Sequence, residues 1–360
     1  MQSLDLQVIG QLCRWLRQGD SIWFCTVIDT WGSSPRRPGS LMVFHPTGLM
    51  VGSLSGGCVE DDLLEQLQKG EIAATSAKYK LYGETQEEIE RFKLPCGGTL
   101  GILIEPVGPD QLSYFEEIES ALSRRLNIQR NVCWENNSLS SLQPQSISIT
   151  EHHPLIDFKK ESNHQPVSLV QVYGPETHLF IIGISEISRA LAQFAVAAAY
   201  KVTVCDPREE LEKQWDVENT RLIIDMPDDA IRKNLIDHHE LDRNNLNEDH
   251  SIGDSVIDSH TAIVAVTHDP RIDDMGLMEA FNSPAFYIGA MGSVRSSDKR
   301  RERLRQLDIS ENQLARLHAP IGIEIGSKTP VEIAISIMAE LISERVQQNG
   351  MGYRTHAQKS

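Results

Sequence analysis

Apolar residues follow two different patterns along the chain. From residue 1 to residue 174, short alternating runs typical of half-buried strands are mixed with runs at helical spacing. The segment 150–165 holds three acids, two lysines and three histidines and is interpreted as an exposed loop. The pattern predicts helices at 4–18, 58–69 and 109–125, and strands at 22–28, 41–44, 49–52, 77–81, 128–134 and 167–173, with a further apolar strand after Gly98.

Beyond Gly174 the pattern changes to strands that alternate with helices. Residues 179–182 form a near-continuous apolar run, as expected of a parallel strand buried on both faces, and an apolar helix follows as far as Ala199. Thr329 and Glu332 have the spacing of a capping box, which predicts the start of a long helix that ends near residue 347. Further strands are predicted at 201–205, 222–224, 262–266 and 285–288.

These patterns predict an α/β protein of two domains. Residues 1–174 are expected to form an α+β domain, and residues 175–350 a Rossmann-like doubly wound parallel sheet. Residues 351–360 are expected to be a polar tail.

The charge balance limits the partners that are expected. The formal net charge is -17 at pH 7, whereas nucleic acids and anionic membrane surfaces are bound through basic patches, so neither is expected as a partner. No uncharged apolar stretch approaches the length of a membrane span, and the first residues lack the pattern of a secretory signal. The six cysteines are widely spaced without a C-x-x-C pair, which fits a protein of the reducing cytoplasm.

The first candidate for chemistry is Cys58, which follows the Gly56-Gly57 pair. The apolar spacing after it predicts a helix with Cys58 in its first turn, so the thiol is expected near unpaired backbone N–H groups at the positive end of the helix dipole. This setting favours a thiolate, which is a nucleophile and a soft metal ligand, whereas the charge of Glu60 and of the two acids after it opposes ionisation. The alternative is that Cys58 is a small buried apolar residue, as most free cysteines are.

Two further segments of the first domain carry candidate ligands. Cys96 stands beside paired glycines, and because glycines let a backbone approach a ligand closely, Cys58 and Cys96 are candidates for one shared site. Arg36 lies with a second arginine in a turn-rich loop, and guanidinium groups pair well with phosphate or carboxylate. The alternative for this loop is a solvated turn.

The second domain has the layout of a dinucleotide-binding unit. Gly183 follows the first predicted strand, and Asp206 ends the second strand about twenty residues later, where an acid binds a ribose hydroxyl in such units. Ser185 and Ser188 stand where that motif uses small residues such as glycine. The pattern therefore predicts the Rossmann fold but leaves dinucleotide binding at this turn open.

Two other strand ends in the second domain are candidates for ligand binding. His268 ends a predicted strand, either as an acid–base residue or as a hydrogen-bonded residue of the turn. The segment from Gly289 through Gly292 to Arg295 is predicted to be a glycine-rich loop that begins a helix, which is a typical anion site. The cations that follow either add to that anion site or lie on the solvated face of the helix.

Taken together, these segments resemble the XdhC/CoxI family, the accessory factors of xanthine dehydrogenase and related molybdenum hydroxylases. The resemblance extends over nearly the whole chain. In the first domain it rests on Gly32-Ser33-Ser34-Pro35-Arg36, Gly52-Ser53, Ser55-Gly56-Gly57-Cys58-Val59-Glu60 and Cys96-Gly97-Gly98. In the second domain it rests on Asp206-Pro207-Arg208, Thr267-His268-Asp269, Gly289-Ala290-Met291-Gly292-Ser293 and the segment from His318 to Pro330.

The resemblance implies a chaperone rather than a catalyst. The family is understood to bind molybdenum cofactor, to shield it while a cysteine desulfurase places the terminal sulfido ligand, and to deliver it to the apo-hydroxylase. The cofactor is molybdopterin, as the plain pterin or as its cytosine dinucleotide. A homodimer is also expected.

The same resemblance assigns roles to individual residues. It implies Cys58 and Cys96 as contacts to molybdenum or its dithiolene, and Glu60 as the residue that orients the site beside Gly57. It implies contacts to the phosphate from Arg36, Arg295 and the loop of Gly289 and Gly292. The segment Gly183-Ile184-Ser185 departs from the fuller glycine pattern of the family at this turn, so a nucleotide role for Gly183 and Asp206 stays open.

Two other functions also fit the residues. One is an NAD(P)-dependent oxidoreductase that uses the Rossmann half, with Cys58 or His268 in the chemistry. The other is a scaffold that docks the hydroxylase without binding its cofactor. The hydroxylase activity itself is not expected, because the chain lacks cysteine clusters for iron–sulfur centres and is short for the molybdenum-binding chain of such an enzyme.

Overall fold

The fold is described from a computed structural model, in which the chain divides into two compact units, Gln2–Pro175 and Glu176–Ser360. Cys96 and the predicted polar tail lie outside the described residues. No helix among the residues described is both long enough and apolar enough to cross a membrane. The described residues are 4–31, 36–72, 77–92, 98–133, 147–149, 155–160, 166–235 and 256–348.

The first unit contains two antiparallel sheets. The strands of the five-stranded sheet are β1 (Ile22–Trp31), β2 (Leu41–Phe44), β3 (Met50–Gly52), β4 (Lys78–Tyr82) and β5 (Thr99–Val107), in the order β3-β2-β1-β5-β4. Those of the four-stranded sheet are β6 (Ile128–Cys133), β7 (Ile147–Ile149), β8 (Leu155–Lys160) and β9 (Pro166–Tyr173), in the order β7-β6-β9-β8. The helices are α1 (Leu4–Arg17), α2 (Cys58–Gln68), α3 (Gln86–Arg91) and α4 (Leu112–Ser123).

Alternate residues of β1 fill two separate cores, because successive side chains of a strand point to opposite faces. Phe24 lies in a cluster with Leu12 of α1 and Phe115 of α4, and the two phenyl rings meet edge to face with centroids 5.5 Å apart. Cys25 lies in the opposite cluster with Leu63 of α2. This packing fixes α2, and therefore the start of the helix at Cys58, against the five-stranded sheet.

The second unit is a six-stranded parallel sheet with helices on both faces. Its strands are β10 (His178–Ile182), β11 (Lys201–Cys205), β12 (Thr220–Ile223), β13 (Thr261–Ala265), β14 (Tyr287–Ala290) and β15 (Leu317–His318), in the order β12-β11-β10-β13-β14-β15. Its helices are α5 (Glu186–Ala197), α6 (Pro227–Lys233), α7 (Pro270–Ala280), α8 (Val294–Gln306), α9 (Glu311–Leu314) and α10 (Pro330–Gln348).

The order of these strands is that of the doubly wound Rossmann fold, in which the chain starts in the middle of the sheet and winds outward in both directions. Apolar side chains of α5 and α10 pack in one cluster, and those of α6, α7 and α8 pack in another with the opposite side chains of the strands. The predicted α/β fold with a doubly wound parallel sheet is therefore confirmed.

Two of the predicted segments are wrong. The segment 150–165, predicted as an exposed loop, contains β8, which pairs with β9 from Leu155 opposite Val172 onward. Its charged residues and histidines obscured a short alternating run. Gly289, predicted in a loop, lies inside β14 opposite His318. A Cβ added there would lie 2.5 Å from Ile321 Cδ1, so this glycine makes room for a neighbouring side chain.

Candidate functional site

The loop before α2 is folded around a single carboxylate, that of Glu60. Oε2 of Glu60 accepts hydrogen bonds from the Gly57 amide, at 3.0 Å, and from the Ser55 hydroxyl. Oε1 accepts from Ser53 Oγ, Leu54 N, Ser55 N and Gly56 N, at 3.1, 2.9, 2.8 and 3.0 Å. One side chain therefore sets the direction of consecutive backbone amides.

Glu60 is ionised at neutral pH although it is only 4% exposed. Burial alone would raise its pKa, but hydrogen bonds from the Ser55 hydroxyl and from the amides of Ser55, Gly56 and Leu54 outweigh burial and lower the pKa to about 2. A fixed negative charge therefore lies at the start of α2.

Gly56 and Gly57 leave the outer side of this loop open. Their φ angles are +99° and +153°, which side chains rarely allow, and both residues are exposed. A Cβ added to either glycine would meet no atom within 4 Å. The backbone just before Cys58 is therefore accessible to a ligand.

Cys58 is the first residue of α2, as predicted, and Gly57 is the residue that precedes the helix. The amides of residues 54–57, which precede the helix, donate to Glu60. The expectation that first-turn amides lie near the thiol stays a prediction. Cys96, the predicted companion of Cys58, lies outside the described residues.

Arg36 and Glu60, both predicted site residues, are joined through Ser53, for which the sequence predicted no role in the site. Nε of Arg36 donates to Ser53 Oγ at 3.1 Å, and that hydroxyl donates to Glu60. The signal in the sequence was the position of Glu60, three residues after Gly57, which is where the acid of a capping box lies.

The acidic run after Cys58 also anchors the helix. The Asp62 carboxylate accepts from Arg91 Nη2 at 2.7 Å and from the Tyr82 hydroxyl at 3.2 Å, and Lys80 Nζ lies 3.9 Å from it. Asp62 thereby ties α2 to β4 and α3, and its negative charge is compensated by these cations.

At the first turn of the second unit, the predicted nucleotide-binding residues are bonded to the protein itself. Gly183 has φ +106°, and a Cβ there would lie 2.4 Å from Thr267 Cγ2. Asp206 is fully buried. Its carboxylate accepts from the Ile184 amide at 2.7 Å and from Arg208 Nε and Nη2 at 2.8 and 2.6 Å. Burial opposes the charge, but these hydrogen bonds lower the pKa of Asp206.

Most residues near the other strand ends also have structural partners. Ser185 and Ser188 cap α5 reciprocally. The Thr267 hydroxyl donates to Asp273 Oδ1 at 2.7 Å, and Asp269 caps α7. His268 lies between Thr267 and Asp269 in the sequence and is exposed.

The basic helix α8 uses most of its cations to hold the fold together. Arg300 is buried, where it donates to Asp273 Oδ2 at 2.7 Å and to Asp274 Oδ1 at 3.1 Å. Arg301, Arg303 and Arg305 also have carbonyl or carboxylate partners.

The predicted glycine-containing start of a helix is present at α8, and its role as an anion site stays a prediction. Ser293 caps the helix, and Gly292, close to Ser296, lies in the short loop after β14. Arg295 and Lys299 are exposed, with no hydrogen bond or ion pair to any other residue that the structure describes.

No group of three or more His, Cys, Asp or Glu side chains within the described ranges is arranged to hold a metal ion.

Comparisons with known proteins match both units to one family. The model of the XdhC Rossmann domain matches residues 179–341, and the model of the XdhC and CoxI family matches residues 15–79. A Bacillus subtilis protein named as a probable subunit of xanthine dehydrogenase is 23% identical over 89% of this chain and 92% of that protein. The molybdenum cofactor insertion chaperone PaoD of Escherichia coli is 23% identical over 92% of this chain and 86% of its own length.

A solved structure has the same fold. A Bacillus halodurans protein described as a xanthine dehydrogenase superposes with a TM-score of 0.68 and 24% identity, over 98% of both chains.

Proposed function

The chain belongs to the XdhC and CoxI family, and from this premise we propose that it is a molybdenum cofactor chaperone. It binds the cofactor, protects it during sulfuration and delivers it to an apo-hydroxylase of the xanthine dehydrogenase type. Two relatives, one named as part of xanthine dehydrogenase and one as a cofactor insertion chaperone, each aligned over most of its length, support this proposal.

The observation that carries the proposal is the loop folded around Glu60. It combines an accessible glycine backbone with a cysteine at the start of α2 and with Arg36 nearby in the hydrogen-bond network. Thiolates suit soft metal centres, and arginine suits phosphate. We therefore assign Cys58, together with Cys96, to the molybdenum or its dithiolene, and Arg36 to the phosphate of the pterin.

Glu60 acts in this proposal by orienting the loop rather than by binding the cargo directly. Its carboxylate is already bonded to the protein on both oxygens, so its role is to keep the amides of residues 54–57 and Ser53 in place. Gly57 keeps the approach to Cys58 open.

The second unit contributes a weaker set of contacts. Arg295, with Gly292, is the remaining candidate there for an anion such as a phosphate of a dinucleotide form. Gly289 is not retained as a contact, because it lies within β14 and faces Ile321. Gly183 and Asp206 would have to exchange their present partners before they could bind a nucleotide.

The partners follow from the same proposal. They are an apo-hydroxylase of the xanthine dehydrogenase type and a cysteine desulfurase, which meet this protein, as a homodimer, in the cytoplasm. The buried free cysteines Cys13, Cys25 and Cys205 are in keeping with a reducing compartment.

Anaerobic binding of isolated molybdenum cofactor tests the proposal, with co-eluting molybdenum and pterin as the readout. We expect near-stoichiometric binding by the wild type and its loss in Cys58→Ala and in Cys96→Ala. Cys205→Ala is the matched control, because it removes a buried thiol from β11 in the other unit. Absence of binding by the wild type, or equal binding by all three variants, would contradict the proposal.

A nicotinamide-dependent oxidoreductase is a second candidate, favoured by the Rossmann order of the strands. An oxidoreductase of this kind should shift the fluorescence of NADH or NADPH on mixing. No shift at saturating concentrations would exclude this function. A docking scaffold, in contrast, would support hydroxylase maturation undiminished after Cys58→Ala.

A further inference from the structure

A histidine at the end of β15, a glutamate and a tyrosine form a hydrogen-bonded cluster on the face of the parallel sheet that packs against α10. Nδ1 of His318, the last residue of β15, lies 2.9 Å from Glu340 Oε1 of α10. The other oxygen of Glu340 accepts from the Tyr287 hydroxyl, at 2.6 Å, and from the Gly322 amide. The cluster thus joins β14, β15, the loop after β15 and α10.

The chemistry of Glu340 fixes the tautomer of His318. Burial opposes the charge of Glu340, but the hydrogen bonds from His318, Tyr287 and Gly322 lower its pKa. An ionised carboxylate can only accept, so Nδ1 of His318 must donate to it. In the neutral imidazole the lone pair therefore lies on Nε2.

Nε2 is the part of the ring that is left available. One face of the ring stacks on Tyr287, with centroids 4.3 Å apart, and 29% of the side chain is exposed. Nε2 forms no hydrogen bond to any residue that the structure describes. His178 shows the contrast, since it is fully buried and both of its nitrogens are bonded, to Val256 O and Thr203 Oγ1, each at 2.9 Å.

The position of His318 is one where ligands bind in this fold. It lies at the carboxyl end of β15 opposite Gly289, and the chain after it crosses the end of β14, where the Ile321 amide donates to Ala290 O at 3.1 Å. Open α/β sheets bind their ligands outside the carboxyl ends of the strands. A base held by an orienting carboxylate, with its second nitrogen free, is the arrangement of a general base.

We propose that His318 is a proton-accepting residue for a ligand bound over the ends of β14 and β15, and that Glu340 is its positioning residue. The ligand carries an acidic O–H, N–H or S–H group. Its proton moves to Nε2, which leaves an imidazolium beside Glu340 and the ligand's anion, so no other reactant is required. The inference depends on the second unit alone and does not require the proposed molybdenum cofactor role.

The protonation of His318 tests the arrangement directly. In full-length protein labelled with ¹⁵N-histidine, with His318→Asn to assign the signal, we expect neutral His318 to be protonated on Nδ1. Protonation on Nε2 in the neutral wild-type side chain would overturn the proposal.

Diethyl pyrocarbonate, which reacts with an unprotonated imidazole nitrogen, serves as the probe that stands in for the ligand. We expect His318 to be modified in the wild type and several-fold more slowly in Glu340→Gln, where the new amide can donate to Nδ1 and move the proton to Nε2. The exposed His268 is the internal control, and its rate should not change. Equal rates in both proteins would refute the proposal. If Glu340→Gln failed to fold in quantity, absence of modification at wild-type His318 would still refute it.

Discussion

Replacement of Glu60 by glutamine tests whether one buried carboxylate holds the loop before Cys58 in place. Its pKa is lowered from an ordinary 4.5 to about 2. The difference of about 2.5 units, at ~1.4 kcal/mol per unit, corresponds to about 3.5 kcal/mol of stabilisation by the charged form. Glutamine also places an NH₂ group against N–H donors, which adds an unsatisfied contact.

The sign of the pH dependence follows from the direction of this shift. Because the pKa of Glu60 is lower in the folded state, its contribution is fully present above about pH 4.5 and is lost as the pH falls towards 2. We expect Glu60→Gln to lower the free energy of unfolding at pH 7 by about 2–3 kcal/mol. On acidification the variant should lose less stability than the wild type, because it has no carboxylate at residue 60 to protonate.

Urea unfolding at several pH values, followed by amide hydrogen exchange of residues 54–57, measures both effects. The matched control is Glu65→Gln on the same helix, where the exposed carboxylate is paired with the exposed Lys69 and should contribute nothing measurable. If Glu60→Gln unfolded like that control, with unchanged exchange at residues 54–57, the role assigned to Glu60 would be refuted.

Three further predictions concern stability, each measured by urea unfolding of the full chain. Arg300→Met should lower the free energy of unfolding by about 3–5 kcal/mol, because it leaves the buried Asp273 carboxylate without its cation and Asp274 with Arg303 alone. The exposed Arg305→Met should change little, and equal effects would contradict the burial argument. Gly183→Ala should lower the free energy of unfolding by ~1–3 kcal/mol more than Gly56→Ala does. Both glycines have a positive φ, but only at Gly183 would a Cβ meet a neighbouring residue, Thr267; equal losses of stability would count against that contact. Thr329→Ala should lower the free energy of unfolding by about 1 kcal/mol and speed amide exchange in the first turn of α10. Unchanged exchange would show that the Thr329 cap does not stabilise this turn.

The fold was predictable where side-chain periodicity is strong. Strands at 41–44 and 201–205 begin and end where the apolar pattern placed them, because both are short apolar runs bounded by turn residues. The pattern failed at β8, because the alternating run at residues 156–159 is only four residues long and lies among charged residues and histidines. It also failed at Gly289, since periodicity cannot show that a glycine in a strand makes room for a side chain distant in sequence.

The candidate site was predictable by residue type but not by connectivity. Cys58, Glu60 and Arg36 stand out from the sequence, yet the hydrogen bonds that organise them come from backbone amides and from Ser53. Their direction depends on the positive φ of two glycines, which no pattern of side chains reveals. For the same reason the sequence did not show that Glu60 accepts from the amides of residues 54–57.

The two carboxylates Glu60 and Glu340 each orient a neighbouring group through hydrogen bonds. Each is bonded to the protein on both oxygens, so neither has a free oxygen with which to bind a ligand. Each instead fixes a neighbour whose chemistry depends on direction: the backbone around Cys58 in one unit, and the imidazole of His318 in the other. In the second unit, Asp206 and Arg300 are fully engaged in structure, so among the residues described there His318 and Arg295, with the exposed His268 and Lys299, are left as candidates for a ligand contact.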